Sequence, residues 1–166
     1  MKILKAGIND VSNIHHLAGQ VWEPTYKDIL SQEQLVYMFN QMYSHEAITS
    51  QITHQGHKYI IAKDENGYCG FTSYQLDYKP ATVKIHKIYV LPGMQGRGVG
   101  KLMLDAVEND ACKNRNNVLT LNVNRFNKAI HFYTRTGFAN IGSEDIHIGN
   151  GYLMEDYIMQ KSICTL

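Results

Sequence analysis

Several things are scarce in this chain, and each scarcity excludes something. An excess of one charge is missing: 16 Lys and Arg stand against 15 Asp and Glu in 166 residues, a formal net charge of +1 with His neutral. No basic run or stripe appears, which argues against a dedicated nucleic-acid surface. Long apolar runs are missing too. Nothing approaches a membrane span, and the first residues enter a strand pattern at once instead of a signal-peptide layout. Cysteine is limited to Cys69, Cys112 and Cys164, unpaired by count and without metal-ligand spacing, so the expectation is a reduced, cytoplasmic protein. The eight histidines form no His-x-x-x-His face and no Cys/His cluster, and no metal site is expected. Repeats, low-complexity tracts and linkers are absent. What remains, 44% hydrophobic and 19% charged, reads as one globular domain over residues 1–166 with room for a real core.

What is present is a glycine loop. Gln95-Gly96-Arg97-Gly98-Val99-Gly100 is entered from the apolar strand Lys87-Ile88-Tyr89-Val90-Leu91 and leaves into an amphipathic helix. Glycines let backbone N–H groups approach an anion with no side chain in the way, and the following helix points its positive end at the same spot. A Walker loop needs G-x-x-x-x-G-K-[ST]; Gly100-Lys101 has Gln95 five residues before the glycine and Leu102 after the lysine, so that pattern fails twice. A dinucleotide fingerprint fails because its third glycine would fall on Lys101. The pattern that fits is Q-x-x-G-x-G.

Downstream, after a helix and a strand, comes Asn127-Lys128-Ala129-Ile130-His131-Phe132-Tyr133-Thr134-Arg135-Thr136-Gly137-Phe138. Asn127 suits a helix N-cap, Ala129, Ile130 and Tyr133 share a helical face, and Gly137 is a stop. The two segments together resemble the hallmarks of the GCN5-related N-acetyltransferases (GNAT): a Q-x-x-G-x-G pyrophosphate loop and an N-x-x-A-x-x-F-Y-x-x-x-G-F segment.

The rest of the chain supplies the elements. Lys2 to Ala6 reads as a strand, and Asp10 as the cap of a helix with Val11, Ile14, Ala18 and Val21 on one face, ended by Trp22-Glu23-Pro24. Ser31 caps a second helix with the stripe Leu35, Met38, Phe39, Met42; Ser44 to Gln55 reads as a third. Strands follow at His57 to Ala62, Tyr68 to Leu76 and Thr82 to Leu91, the first two joined by a turn at Glu65-Asn66-Gly67. Val99, Leu102, Met103, Ala106 and Val107 line a helix running to Lys113, and Val118 to Val123 is a buried strand. Phe138 to Ile148 and Tyr152 to Met159 form a hairpin around Gly149-Asn150-Gly151. The class is α/β of the α+β type: a mixed sheet of about six to seven strands flanked by about four to five helices. This order matches the single-domain GNAT layout throughout, although only residues 83–138 carry specific motifs.

The resemblance implies acetyl-CoA as cofactor and an acyltransferase that moves acetyl to a primary amine. It implies that Ile88, Tyr89 and Val90 hold the pantetheine arm, and that Gln95, Gly96, Arg97, Gly98, Val99, Gly100 and Lys101 hold the pyrophosphate. Asn122, Asn127 and Tyr133 complete the cofactor site. Backbone donors near Val90 would face the thioester oxygen. Tyr133, a phenol protonated at neutral pH, matches the family's acid for the leaving thiolate. The commonest base, a carboxylate on the strand before the loop, is missing. By alternation Lys84, His86, Ile88 and Val90 share a face, which makes His86 the replacement; Glu23 through a water, or bulk solvent, are the alternatives. None of the cysteines lies in either motif, so direct attack in a ternary complex is preferred to a cysteine intermediate.

Acceptor sites in this family are built by the first helices and the last hairpin. Trp22, Glu23, Tyr26 and Asp28 would make an aromatic and acidic mouth for a small cationic amine. The Ile88-Tyr89-Val90 strand and the Met154-Glu155-Asp156-Tyr157 segment are similar to bacterial polyamine acetyltransferases. Protein N-termini, amino acids and aminoglycosides stay open as acceptors, a non-catalytic acyl-CoA sensor is the reading from another class, and the resemblance allows a homodimer.

Overall fold

The computed structural model describes residues 1–164. The chain runs β1 (Lys2–Ala6), α1 (Val11–Tyr26), α2 (Gln32–Tyr43), α3 (His45–Thr53), β2 (Lys58–Asp64), β3 (Gly67–Lys79) and β4 (Thr82–Val90). It continues through α4 (Val99–Lys113), β5 (Val118–Asn124), α5 (Ile130–Arg135), β6 (Ala139–Gly149) and β7 (Tyr152–Ser162). These strands make one seven-stranded sheet in the order β1-β2-β3-β4-β5-β7-β6. Among the described residues its only parallel pair is β4–β5, the two strands joined through α4. Hairpins build the two flanks, as β2–β3 around Gly67 and as β6–β7 around Gly149–Gly151, where Asn150 also takes a positive φ of 53°.

Each face of the sheet carries its own core. On one side α4 and α5 cover Val83, Ile85, Leu119 and Leu121 with Met103, Leu104, Val107 and Tyr133. On the other, α1, α2 and α3 cover Tyr59, Ile61 and Phe71 with Ile14, Leu17, Val21, Trp22, Leu35 and Met38. Ser31 and Ser44 cap α2 and α3, accepting hydrogen bonds from Gln34 N (3.2 Å) and Ala47 N (3.1 Å).

Four local expectations need correction. Pro24 does not end α1, which continues to Tyr26. The proline sits in the last turn, where its missing N–H forfeits a single bond, and Lys27 N still reaches Glu23 O at 2.9 Å. Asp10 does not cap α1 through its side chain; its carboxylate accepts from Gly7 N at 2.9 Å and closes the short 3₁₀ turn that precedes the helix. On α4 the buried stripe is Val99, Met103, Leu104, Val107 and Ala111, with Leu102 turned toward solvent, because the inward face follows the packing of α4 on β2, β3 and β4. Asn127 caps a turn ahead of α5: its Oδ1 accepts from Ala129 N at 2.8 Å, and the regular helix starts at Ile130.

The cysteines need a fifth. Cys112, at the end of α4, and Cys164, just after β7, form a disulfide with Cα atoms 5.9 Å apart, and Cys69 alone is free and buried. Pairing was invisible by count because the two halves lie 52 residues apart and meet only when β7 lines up beside β5.

A buried lysine ties α3 to the sheet. Lys87 Nζ donates to Gln51 Oε1 (2.8 Å) and Tyr59 Oη (3.1 Å), and it lies over the rings of Tyr43 and Tyr59. Burial pushes its pKa down to about 7.

Two outcomes follow. Titration of denatured, unreduced protein should count one thiol and reduced protein three; Cys112→Ser should lower the stability of oxidised protein by about 2–4 kcal/mol and leave that of reduced protein nearly unchanged. Between pH 7 and 9.5 the unfolded chain holds the Lys87 proton that the folded chain releases, so stability should rise with pH in denaturant titrations. Lys87→Met should flatten that rise, and an unchanged slope would show that Lys87 stays charged.

Candidate active site

The site begins where β4 and β5 part. Their parallel ladder runs from Thr82↔Val118 to Ile85↔Leu121 and stops. Beyond it β4 stays paired to β3 as far as Val90↔Gly70, and β5 stays paired to β7 as far as Asn124↔Asp156. Each strand is held by its outer neighbour, so the free ends diverge. A bulge sits at the parting: Tyr74 faces Ile85 and Ser73 faces Lys87, which leaves His86 as an extra residue.

The bulge overturns the simple alternation along β4. Ile85, Ile88 and Val90 turn to the α4 side, whereas His86 and Lys87 both turn to the α1–α3 side. His86 stacks on His57 with ring centroids 3.9 Å apart, and its Nε2 lies 3.3 Å from Gln75 Oε1. Burial, then the neighbouring His57, Lys87 and Lys84, pushes its pKa down to about 3, so the ring is neutral at any physiological pH.

The gap opens into a cleft of about 1060 Å³. At one end lies the glycine loop. Gly96 and Gly98 have φ of 74° and 79°, and a Cβ on either would meet nothing within 4 Å, so the loop presents bare backbone to open space. Leu102 N is the first donor of α4 to find an acceptor, Gly98 O at 3.0 Å; among the described residues none of the N–H groups from Gly96 to Lys101 has a partner in the chain. Gly100 lets the first turn of α4 press against Phe132, whose ring would lie 3.2 Å from an added Cβ. Lys101, Lys128 and Arg135 add positive charge along this end. Arg97 does not line the cleft; its guanidinium turns to Met94 Sδ.

The middle of the cleft is the open edge of β4. Leu91 N bonds back to Cys69 O on β3, so by alternation the N–H and C=O of Ile88 and Val90 face the gap, and Val90 O accepts from Gln95 Nε2 at 3.3 Å. Donors for phosphates at one end and a bare strand edge for amides in the middle fit a pantetheine pyrophosphate such as coenzyme A.

Tyr133, on the first turns of α5, lines the same cleft and is 6% exposed. Burial, then the nearby Tyr26, raises its pKa, so the phenol keeps its proton. Beneath lies a chain of phenols. Tyr26 is paired with Tyr89 and Tyr89 with Tyr43, and Asn127 Nδ2 donates to Tyr26 Oη at 3.5 Å. Burial raises the pKa of all three tyrosines.

Of the expected acceptor residues, Tyr26 and Asp28 border the cleft and the others do not. Trp22 is core: its indole donates to Leu35 O at 2.9 Å and pins α1 to α2. Glu23 lines a separate small groove between those helices. On the β5 wall Asn122 is held by Lys84, which donates to its Oδ1, and itself donates to Glu144 Oε2 at 3.1 Å. Thr25, Phe126, Lys128 and Arg135 also border the cleft. The two basic residues sit inside the Asn127–Phe138 motif, where their charge was the available signal; Thr25 and Phe126 gave none.

Comparison with known proteins agrees with this geometry. Residues 26–160 match the model of the acetyltransferase (GNAT) domain. The PaiA N-acetyltransferase from Thermoplasma acidophilum, solved with coenzyme A, superposes with a TM-score of 0.81 at 23% identity, over 97% of this chain and 98% of that one. A GCN5-related N-acetyltransferase from Rhodopseudomonas palustris gives 0.81 at 22% identity, over 98% and 95%. The ribosomal-protein-S18-alanine N-acetyltransferase from Escherichia coli gives 0.73 at 17% identity, over 99% and 95%. The match over residues 26–160 makes this an acetyl-CoA-dependent acetyltransferase, and the chain belongs to the GNAT acetyltransferase family.

Proposed function

We propose that this enzyme transfers acetyl from acetyl-CoA to the primary amine of a small cationic acceptor, a polyamine being the chemical type that fits, by direct attack in a ternary complex. The observation that carries this reading is a single cleft reached from both faces of the sheet. The glycine loop lies toward α4, and Tyr26 and Asp28 lie toward the α1 side. The cofactor brings an acyl group already activated as a thioester. The free N–H of Val90 points where the carbonyl oxygen would gain charge, and a donor fixed in the backbone needs no reorganisation there. Tyr133 holds a proton for the departing sulfur. His86 suits a base poorly: its ring is committed to His57 and Gln75, and a group with a pKa of about 3 holds a proton weakly. We place the enzyme in the cytoplasm, whose reducing poise would then act on the Cys112–Cys164 pair.

The deciding assay is release of free CoA thiol from acetyl-CoA with spermidine, spermine, amino acids, short peptides and an aminoglycoside as acceptors. Release with polyamines supports the reading. Release with peptides alone replaces it with protein N-acetylation, and CoA binding without release to any amine leaves a sensor. Tyr133→Phe should lower kcat about 10²-fold or more with CoA affinity kept within about threefold. His86→Ala should keep kcat/KM within about threefold. Gly98→Val forces a branched side chain into a positive φ at the cradle and should weaken CoA binding about tenfold or more, read by calorimetry, while the protein stays folded.

A further inference from the structure

The base that β4 lacks has a candidate on β7, behind the β5 wall of the cleft. Asp156 lies on β7 and pairs across the ladder with Asn124, the last residue of β5, at the end of the sheet where β5 leaves β4. It is 6% exposed, and its Oδ1 is buried with no hydrogen-bond partner. A carboxylate taken out of water without a partner is costly, and such a group marks a place where something else is expected to bind. Its surroundings are those of the acceptor side. Lys84 from β4, Asn122 from β5, Glu144 from β6, Arg125 from the loop after β5 and Tyr26 from α1 all face it. Asn122 and Tyr26 border the cleft themselves. The fixed cations nearby are already engaged: Lys84 with Asn122, and Arg125 with Asp145 and Glu155.

We infer that Asp156 receives the acceptor's ammonium group and takes its proton. Resting on the amine-acetylation reading above, the step balances simply. One N–H bond of R–NH₃⁺ breaks and its proton passes to an Asp156 oxygen, which leaves a neutral amine. That amine forms the new N–C bond as the C–S bond breaks; the sulfur takes the Tyr133 proton, and the second N–H proton, shed as the amide forms, restores the Tyr133 phenol. Burial raises the Asp156 pKa, against the opposing pull of Asn122, Lys84 and Arg125, and so moves it toward that of an amine. Glu144, exposed at the rim and hydrogen-bonded to Asn122, supplies a second negative charge for an acceptor with a second ammonium.

The test is the isosteric Asp156→Asn, with Asp156→Glu beside it, in the full chain with acetyl-CoA and the amine the wild type uses best. Asp156→Asn should lose about 10²-fold or more in kcat/KM while binding CoA with unchanged affinity. The wild-type profile of kcat/KM should fall as pH drops through the Asp156 pKa, and that acid limb should vanish in Asp156→Asn and persist in Asp156→Glu. Should the asparagine variant not fold, the glutamate variant and the wild-type profile decide: no acid limb in either overturns the assignment. An active wild type with an unaffected Asp156→Asn overturns the role of Asp156 alone. A wild type that binds CoA yet acetylates no amine overturns the proposed function, and this inference with it.

Discussion

Most of this enzyme follows from the four-residue length of one parallel ladder. Pairing of β4 with β5 ends at Ile85↔Leu121, and the strands remain extended beyond it because each is tied to an antiparallel neighbour. Parallel strands need a crossover connection, here running through α4, and the turn that starts it must leave from the end of β4. The glycine loop, the N-terminus of α4 and the open edge of Ile88–Val90 are therefore all delivered to the same end of the sheet. The motif carrying Tyr133 arrives there as well, because it follows β5 directly. Glycine loop, open strand edge and the Tyr133 motif converge through topology before any side chain is chosen.

Polar groups buried around this gap divide into two kinds. The phenols of Tyr43, Tyr89 and Tyr26 lie in series, Asn127 donates to Tyr26 at the end of the row, and Lys87 finds Gln51 and Tyr59. These groups satisfy one another, which makes them rigid supports for the floor of the cleft. Asp156 Oδ1 and Arg125 Nε, both buried without a hydrogen-bond partner, are the other kind. The contrast separates groups that satisfy one another from one to which the inference above gives an incoming ammonium.

How much could be read in advance depended on how local the cause was. The Q-x-x-G-x-G loop, the Asn127–Phe138 segment and both hairpin turns are short-range signals, and all of them fall where the sequence put them. The placement of His86 was not legible, because a bulge depends on how β3 pairs with β4, and alternation along β4 alone puts the ring on the wrong face. Trp22 looked available for an acceptor; only the arrival of α2 beneath α1 gives its indole a carbonyl and makes it core. Cys112 and Cys164 meet through the pairing of β7 with β5, and Asp156 is brought beside Asn124 by the same pairing. The misses share a cause, which is long-range strand register.

That register also bears on how the reaction is organised. The phosphate cradle and Tyr133 sit with the α4–α5 layer, while Tyr26, Asp28 and Asp156 sit with the opposite face. Cofactor and amine would thus enter from opposite sides of a gap that only backbone edges bridge, so both can be present at once. A route through an acetylated cysteine has no support in this layout. Cys69 is 1% exposed with its thiol pushed up by burial, and Cys112 and Cys164 are bound to each other at the far end of α4. No cysteine thiolate lies among the cleft's lining residues, in keeping with the direct attack proposed above. A protonated amine cannot attack, so its proton must pass to a protein group or to solvent. β4 offers no carboxylate and a histidine whose ring, though it borders the cleft, is engaged by His57 and Gln75; β7 offers a buried carboxylate with an oxygen to spare.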